Sequence, residues 1–482
     1  MNFNTHTGDN ETNWKVVKNR HGKEKVNTQL PKMEDCMGIS LIHRAFDNDI
    51  ICICNKIIEN ISKKNNNNNN NNKIMTSLYI STRHNLFQNL RKYSRRIGKE
   101  NNIKIDIDGL ITRWLFSQQI LSDGEDLSYP YIKNDTYSSS ITHEIYKDFI
   151  QSHTKLSPAE LLDKCKIITK DFVNYSNDIY NRRLKPLYKK RKVYNISNDN
   201  YPLIHVSSSA SIKNAKNIAW NNNNKNIMDV HYYKLLSLFK SYISDRKIRR
   251  ISQPDNSEGG ISENVDEDYT EEKFHYFLFV LIDQYDNILH DGYQASIPST
   301  LANYLQMNLG VSTEMFASPM NALYPNYYSA YPFTDKYFMS KGSILFNFMN
   351  IEEGSFESNP PYTEDFMLLN AYMITYILNK SCKNIDKTRQ QKPLSFVIIN
   401  PNWTDTPSFH ALVNSKYNVI KNKYIHIKKL KHKYISGKQH KCSDVDYISG
   451  VDSFIYILQN KAGAQKWPVT QDKINNIIKK FY

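Results

Sequence analysis

Residues 354–364 read GSFESNPPYTE, a short strand-like run that ends in two consecutive prolines. A proline pair can neither continue a helix nor donate to a strand ladder, so residues 359–362 are predicted to form a rigid turn. The exocyclic amine of a nucleobase has two N–H donors beside a flat ring. The Asn359 amide oxygen and the Pro360 carbonyl therefore suit an aminopurine on which Tyr362 stacks.

The composition indicates a basic, folded, intracellular protein. The chain has 482 residues, enough for two or three domains, and 40% of them are hydrophobic. The formal net charge is +15 and the basic residues are clustered, which favours a polyanionic partner such as nucleic acid. The six cysteines form no Cys-x-x-Cys pair and the histidines show no ligand spacing, so no metal site is predicted. No apolar run reaches about 18 residues, so no membrane partner is predicted.

Composition separates an N-terminal region and a helical region from the rest of the chain. Residues 1–73 are polar, contain an unbroken Asn run at 65–72 and are predicted to be partly disordered. Residues 74–200 are predicted to form a basic helical domain, with helices over 77–97, 111–120 and 157–180. The basic cluster at 189–192 fits a nuclear localisation signal, a phosphate-binding patch or a solvated helix end. A nuclear location is the prediction.

Residues 201–482 are predicted to form an α/β domain. Residues 253–272 are acidic and contain glycine, which indicates a surface insertion. From about residue 297 helix and strand patterns alternate, which predicts a sheet with helices on both faces. The predicted strands lie at 313–316, near 343–346, before Asn359, at 394–400 and at 453–459. Ligands of such sheets sit beyond the carboxyl ends of the strands, so residues 316–319, 359–362 and 400–403 are expected to meet in one cleft.

Six segments occur in an order and spacing that resembles one family, the phosphorylated-CTD-interacting factors. They are residues 316–321, 329–335, 354–362, 393–396, 401–403 and 434–440. The resemblance implies a Rossmann-like class I methyltransferase domain preceded by a mostly helical domain, with S-adenosyl-L-methionine as cofactor. It also implies methylation of N6 of the 2′-O-methyladenosine next to the 7-methylguanosine cap, which makes the capped 5′ end of mRNA the expected partner.

The resemblance also assigns site residues. The catalytic loop is Asn359, Pro360, Pro361 and Tyr362, where Tyr362 replaces the family's usual Phe. The cofactor-binding residues are expected to be Phe316, Ser318, Pro319, Asp335, Asn359, Tyr362 and Glu364, although the usual Gly-x-Gly is absent from the first loop. Asp335 is a candidate for a ribose hydroxyl or the methionine ammonium. The substrate-binding segment is Trp403, Thr404, Asp405, Thr406 and Pro407.

Two of these assignments have a physical reason in the residues themselves. The face of Trp403 can stack on the positively charged 7-methylguanine ring, while Asp405 can accept guanine N–H groups. The alternative is that Trp403 is a core aromatic and Asp405 a turn residue. A Lys-rich stretch fits phosphate or RNA backbone, and its members are Lys421, Lys423, Lys428, Lys429, Lys431 and Lys433.

One departure from the family concerns its WW domain, which binds the phosphorylated tail of RNA polymerase II. A WW module needs two Trp about twenty residues apart, a Tyr pair and a Pro. The N-terminal region has Trp14 and Pro31 but lacks the second Trp and the Tyr pair, so binding of the polymerase tail is doubtful.

Two other functions remain open from the sequence. An N6-adenine methyltransferase acting on internal RNA or DNA keeps the Asn359 loop but does not need Trp403 and Asp405. A catalytically inactive RNA-binding scaffold keeps the fold without turnover. The intact Asn-Pro-Pro-Tyr turn argues against the scaffold, because binding alone does not require it.

Overall fold

A computed structural model gives the fold. It describes residues 77–101, 107–121, 157–189, 202–205, 215–220, 227–252, 270–287, 291–383, 391–441 and 446–482, with isolated positions at 17–18, 24–25, 30, 55, 58, 129–131, 142 and 145–146. The Asn run at 65–72, the cluster at 190–192 and most of the insertion at 253–272 lie outside the described residues. The last two residues of that insertion belong to a helix that begins at Glu271.

The described elements alternate as expected in the second half of the chain. The strands are β1 (Val17–Lys18), β2 (Glu24–Lys25), β3 (Pro202–His205), β4 (Ala215–Trp220), β5 (Ile227–His231), β6 (Thr313–Ala317), β7 (Asn326–Ser329), β8 (Gly354–Ser358), β9 (Leu394–Pro401), β10 (Ile425–Ile427), β11 (Lys433–Ile435), β12 (Asp446–Ile448) and β13 (Ser453–Gln459). The helices are α1 (Ser77–Glu100), α2 (Ile107–Leu121), α3 (Pro158–Ile179), α4 (Lys185–Lys189), α5 (Tyr232–Ser252), α6 (Glu271–Asp286), α7 (Ser299–Leu309), α8 (Pro332–Asp335), α9 (Ile344–Asn347), α10 (Glu364–Lys383), α11 (Pro407–Val413), α12 (Lys461–Lys466) and α13 (Gln471–Phe481).

A six-stranded sheet with the order β10-β13-β9-β8-β6-β7 forms the centre. Strands β7, β6, β8 and β9 are parallel, and β13 runs antiparallel between β9 and β10. Both faces are covered, because Phe396 and Ile398 belong to one apolar cluster and Val397 and Ile399 to another. Burial on both faces explains why β9 reads as a continuous apolar run. This parallel-rich mixed α/β architecture is consistent with a methyltransferase fold.

The prediction of a strand near 343–346 is wrong. The second strand is β7, and residues 344–347 form the short helix α9. Asn347 Nδ2 donates to the carbonyl oxygen of Ser343 (2.7 Å), and Gly342 precedes the turn with a φ of 92°. The apolar triplet Ile-Leu-Phe resembles a strand, but these local contacts and the tertiary packing favour a helical turn.

A separate helical domain is not what the structure shows. Helices lie over 77–100, 107–121 and 158–179, as predicted, but their apolar residues join the same core cluster as one face of the sheet. Arg83 in α1 makes a fully buried ion pair with Asp283 in α6. Phe116 in α2 packs edge-on against Phe366 in α10, with ring centroids 6.2 Å apart. No helix of the described part of the chain is long and apolar enough to cross a membrane.

Gly437 sits where two backbone segments touch. A Cβ at this position would overlap the Cβ of Gln294 and lie 2.8 Å from the Gln294 carbonyl oxygen. Backbone cannot move away as the tip of a flexible side chain can, so only glycine fits at this contact.

We expect Gly437→Ala to lower the free energy of unfolding by about 1–3 kcal/mol, the usual range for overpacking. The matched control is Gly450→Ala, because an added Cβ there has nothing within 4 Å. Denaturant unfolding of both variants checks this. Equal stabilities for the two variants would contradict the close approach.

Candidate active site

The carboxyl ends of β6, β8 and β9 lie side by side at one edge of the sheet. β6 pairs with β8 and β8 with β9, in parallel in both cases. The chain leaves β6 for β7 on one side and returns to β8 on the other, so strand order reverses between β6 and β8. Ligands of open α/β sheets bind at such a reversal. The structure thus brings the loops after Phe316, Ser358 and Asn400 to one edge.

The side chain of Asn359 is oriented by one hydrogen bond. Its Nδ2 donates to the backbone carbonyl oxygen of Ala295 (3.3 Å), which identifies the opposite atom as oxygen. That atom, Oδ1, is buried and has no hydrogen-bond partner among the described residues. An unpaired buried acceptor costs about 1–3 kcal/mol. The fold therefore leaves a buried acceptor available to an N–H group. This acceptor stands on a rigid turn, at the edge of the sheet where ligands are expected to bind.

Two more polar atoms at this edge lack partners within the described residues. Thr363 Oγ1 follows the turn at the start of α10, and Asn400 Oδ1 lies near the end of β9. Both side chains are buried. Together with Asn359 Oδ1, these atoms make this edge of the sheet polar, as a ligand-binding edge would be.

Residues 294–296 connect three parts of the site through backbone atoms. The Gln294 carbonyl oxygen accepts from Asn321 Nδ2 (2.7 Å), and the next carbonyl, of Ala295, accepts from Asn359. Ser296 exchanges two backbone hydrogen bonds with Ile435 in β11, at 3.0 and 2.8 Å. One short segment thus fixes the first loop, the catalytic loop and β11 relative to one another.

The first loop is a compact turn. The Ser318 backbone N–H and hydroxyl both donate to Asn321 Oδ1, at 2.8 and 2.9 Å, and the hydroxyl accepts from the Met320 N–H. Ser318 is buried, while Phe316 and Pro319 are half-buried and the Phe316 ring packs against Phe366. The Ser318 side chain therefore shapes the loop. Contact of these residues with a cofactor stays a prediction.

Asp335 lies at the end of α8 and is fully buried. One carboxylate oxygen accepts from the Tyr285 hydroxyl (2.6 Å) and from the Tyr331 N–H (3.3 Å). Burial raises the pKa of this carboxyl to about 7. Its contact with a ribose hydroxyl or an ammonium group stays a prediction.

Two buried glutamates lie below the catalytic loop. Glu314 in β6 and Glu357 in β8 are register partners on neighbouring strands. Burial raises the pKa of Glu314 to about 7, although its carboxylate accepts from the Leu323 and Tyr324 N–H groups. Burial and the charge of Glu314 raise the pKa of Glu357 well above its usual value. Two adjacent buried carboxylates repel each other when both are charged, so the pair retains a proton near neutral pH.

Glu364 joins the catalytic loop to the predicted substrate-binding segment. Its two carboxylate oxygens accept from the backbone N–H and the hydroxyl of Ser408, both at 2.8 Å. Ser408 is in the first turn of α11, where a carboxylate is favoured by the unpaired N–H groups. The structure thus gives Glu364 a positioning contact, whereas its predicted cofactor contact stays a prediction.

Residues 403–407 form a capped turn after β9. The Thr406 hydroxyl donates to the Trp403 carbonyl oxygen (2.7 Å) and caps α11, and Pro407 is buried in the first turn of that helix. Trp403 is half-buried, and Thr404 and Asp405 are exposed. The turn therefore lies at the surface beside the loops, and binding of substrate by Trp403 and Asp405 stays a prediction.

The Lys-rich stretch forms a structured turn next to this segment. Lys428, Lys429 and Lys431 are exposed, and Leu430 between them adopts a φ of 58°. The turn is held because Asp452 accepts from the Lys429 N–H (2.8 Å). The Asp452 carbonyl oxygen in turn accepts from the N–H of Asn402, one residue before Trp403 (2.9 Å).

Sequence reasoning missed two parts of the site. Residues 294–296 carry no motif, because they act through backbone atoms that any residue type supplies. The hydroxyl of Tyr362 lies 3.0 Å from that of Tyr434, a contact across 72 positions that only the tertiary fold creates. Among the described residues no cluster of His, Cys, Asp and Glu could hold a metal ion.

The parallel-rich sheet is consistent with a methyltransferase fold, and comparisons with known proteins point in the same direction. Residues 247–437 match the family model described as phosphorylated CTD interacting factor 1 WW domain. Human and mouse proteins named mRNA (2′-O-methyladenosine-N(6)-)-methyltransferase are each 33% identical over 188 residues. Residues 247–437 are therefore similar to the phosphorylated CTD interacting factor 1 family.

The chain spans about a quarter of the length of the relatives that it matches. The matches cover 39% of this chain and 25% of the length of each relative. The matched family segment contains a single Trp, Trp403, although its description names a WW domain. It holds instead β6 to β9 and the catalytic loop.

The buried carboxyl of Asp335 predicts a measurable pH dependence. The folded protein keeps its proton up to about pH 7, whereas the unfolded chain releases it near 3.8. Between these values this group lowers stability by about 1.4 kcal/mol per pH unit as the pH rises. We expect the stability of Asp335→Asn relative to wild type to increase from pH 4 to pH 7 in chemical denaturation. Parallel curves for the two proteins would contradict the shifted pKa.

Proposed function

We propose that this chain is an S-adenosylmethionine-dependent methyltransferase that modifies N6 of the cap-adjacent 2′-O-methyladenosine of mRNA. The observation that carries the proposal is the unpaired Asn359 Oδ1 on a Pro-Pro turn at the strand reversal. The names of the relatives support the substrate class. Recognition of the cap is part of the proposal. A nuclear location is also part of it, because mRNA is capped in the nucleus and a basic cluster lies at 189–192.

The residues of the loop hold the target amine. Asn359 Oδ1 and the Pro360 carbonyl accept its two N–H groups, and Tyr362 stacks on the adenine ring. This arrangement turns the nitrogen lone pair out of conjugation and toward the reacting carbon. Positioning and electrostatics carry the rate. The nitrogen becomes acidic once it is methylated and loses its proton to water after transfer, so no dedicated base is required.

The cofactor fits the charge of the site. S-adenosylmethionine supplies an electrophilic methyl group on a cationic sulfonium. The Glu314 and Glu357 pair lies below the loops and favours a positive ligand, because one proton shared by two carboxylates leaves net negative charge. Glu364 keeps the catalytic loop and the Trp403 segment together through Ser408.

The cap is assigned to the turn at 403–406. Trp403 stacks on 7-methylguanine and Asp405 accepts its N–H groups. The exposed lysines at 428, 429 and 431 then lie on the side where the phosphates of the cap continue. Binding of the polymerase tail is not part of the proposal, since the family segment has one Trp.

Methyl transfer from labelled cofactor to a short RNA tests the proposal. We expect transfer to a first 2′-O-methyladenosine only when the RNA is capped, and a loss of about 100-fold or more in Asn359→Ala, the usual effect of removing one acceptor or donor at the reacting group. Asn475→Ala, on the exposed side of α13, is the control and keeps full activity.

Other outcomes of that assay distinguish the competing functions. Equal transfer to capped and uncapped RNA would favour an N6-adenine methyltransferase of broader substrate range. No transfer to either RNA by a folded protein would favour an RNA-binding scaffold.

The lysine turn gives a second test. We expect the triple variant Lys428→Glu, Lys429→Glu, Lys431→Glu to raise KM for capped RNA at least tenfold. The salt dependence of binding falls by about one unit of slope for each phosphate that is no longer neutralised. Cofactor affinity stays unchanged. The control reverses three other exposed lysines, Lys461, Lys479 and Lys480. An equal effect of both triple variants would show only a loss of general charge.

A further inference from the structure

A chain of buried polar groups leads away from Tyr362. Its hydroxyl lies 3.0 Å from the Tyr434 hydroxyl, which lies 2.9 Å from Ser453 Oγ. Ser453 Oγ lies 2.8 Å from His432 Nε2, and His432 Nδ1 lies 2.8 Å from the Lys428 carbonyl oxygen. Tyr434, Ser453 and His432 are all buried.

The carbonyl at the end of this chain fixes the direction of every hydrogen bond. A carbonyl only accepts, so His432 Nδ1 carries the hydrogen. Burial lowers the pKa of His432, which keeps the ring neutral at pH 7 and leaves Nε2 as an acceptor. Ser453 therefore donates to His432.

The directions of the remaining hydrogen bonds follow from the number of hydrogens that each group carries. Each hydroxyl has one hydrogen, so Ser453, having donated to His432, accepts from Tyr434. Tyr434 in turn accepts from Tyr362. The hydroxyl of Tyr362 is thus committed as a donor to Tyr434, and the position of its ring depends on where Tyr434 is held.

Tyr434 itself is firmly held. It lies in β11, next to Ile435, whose backbone pairs with Ser296. Its ring packs edge-on against Phe481, with centroids 5.2 Å apart, and Phe481 also contacts His432. Burial raises the pKa of Tyr434 to about 12, so its hydroxyl stays protonated at neutral pH and acts by position.

We propose that Tyr434 is a positioning residue that, with Ser453 and His432, holds the ring of Tyr362 for stacking on the target base. The inference rests on the proposed function, because it requires a base at the catalytic loop. It also explains how this chain uses the hydroxyl of Tyr362, which a phenylalanine at that position would lack.

A double-mutant cycle tests it with Tyr362→Phe, Tyr434→Phe and the double variant. If Tyr434 acts through the Tyr362 hydroxyl, each single change lowers kcat by about five- to tenfold, and the double variant is no slower than Tyr362→Phe alone. Ser453→Ala behaves in the same way: it lowers kcat in the wild-type background and has no effect when added to Tyr362→Phe. Thermal unfolding of all variants is measured in parallel.

The control is Tyr447→Phe, since Tyr447 pairs with Tyr434 across β11 and β12 but is outside the hydrogen-bond chain. We expect its kcat to equal that of wild type. Multiplicative losses in the double variant, or a lower melting temperature with unchanged kcat, would overturn the positioning role while leaving the proposed function intact. Absence of methyl transfer by the wild type would instead overturn the proposed function, and this inference with it.

Discussion

The site depends on the backbone of residues 294–296. The first loop, the catalytic loop and β11 come from distant parts of the sequence, and without contacts between them they would move independently. The carbonyls of Gln294 and Ala295 accept from Asn321 and Asn359, and Ser296 pairs with Ile435. Backbone acceptors on one short segment have fixed spacing, so they set the distance between the loops directly. The close approach of Gly437 to Gln294 holds the same segment from the other side.

The sheet contributes charge as well as position. Reversal of strand order places β6 beside β8, and this adjacency makes Glu314 and Glu357 register partners in a buried environment. Neither strand alone would produce the shifted pKa values, because each arises from burial and, for Glu357, from the other carboxylate. The edge at which ligands bind therefore combines unpaired acceptors on the loops with negative charge below them. That combination suits a cationic ligand beside an amine donor.

How far the sequence predicted this site depends on how local each cause is. The Asn359 turn was predictable because two prolines fix the backbone without help from the rest of the chain. Strands β6, β8, β9 and β13 were predictable from their apolar runs. Residues 343–346 were wrongly predicted as a strand, because tertiary contacts fold an equally apolar run into the helix α9. The acceptors at 294 and 295 are backbone atoms, which any residue type supplies, so no pattern of side chains marks them. The Tyr362 to Tyr434 contact needs the folded sheet, and the helical region could not be recognised as part of the same core from composition.

The polar groups of the site are of two kinds: those that keep their protonation state near neutral pH and those that change it. Asn359 does not titrate, burial keeps His432 neutral, and burial raises the pKa values of Tyr362 and Tyr434, so their hydroxyls stay protonated near pH 7. The groups that change charge near neutrality, Glu314 and Asp335, are buried in the sheet and in α8. A reaction that relies on positioning gains from this separation, since the geometry of the loop does not change as protons are exchanged. Any pH dependence of binding would then arise from the charge below the ligand, while the hydrogen bonds that orient the amine stay the same.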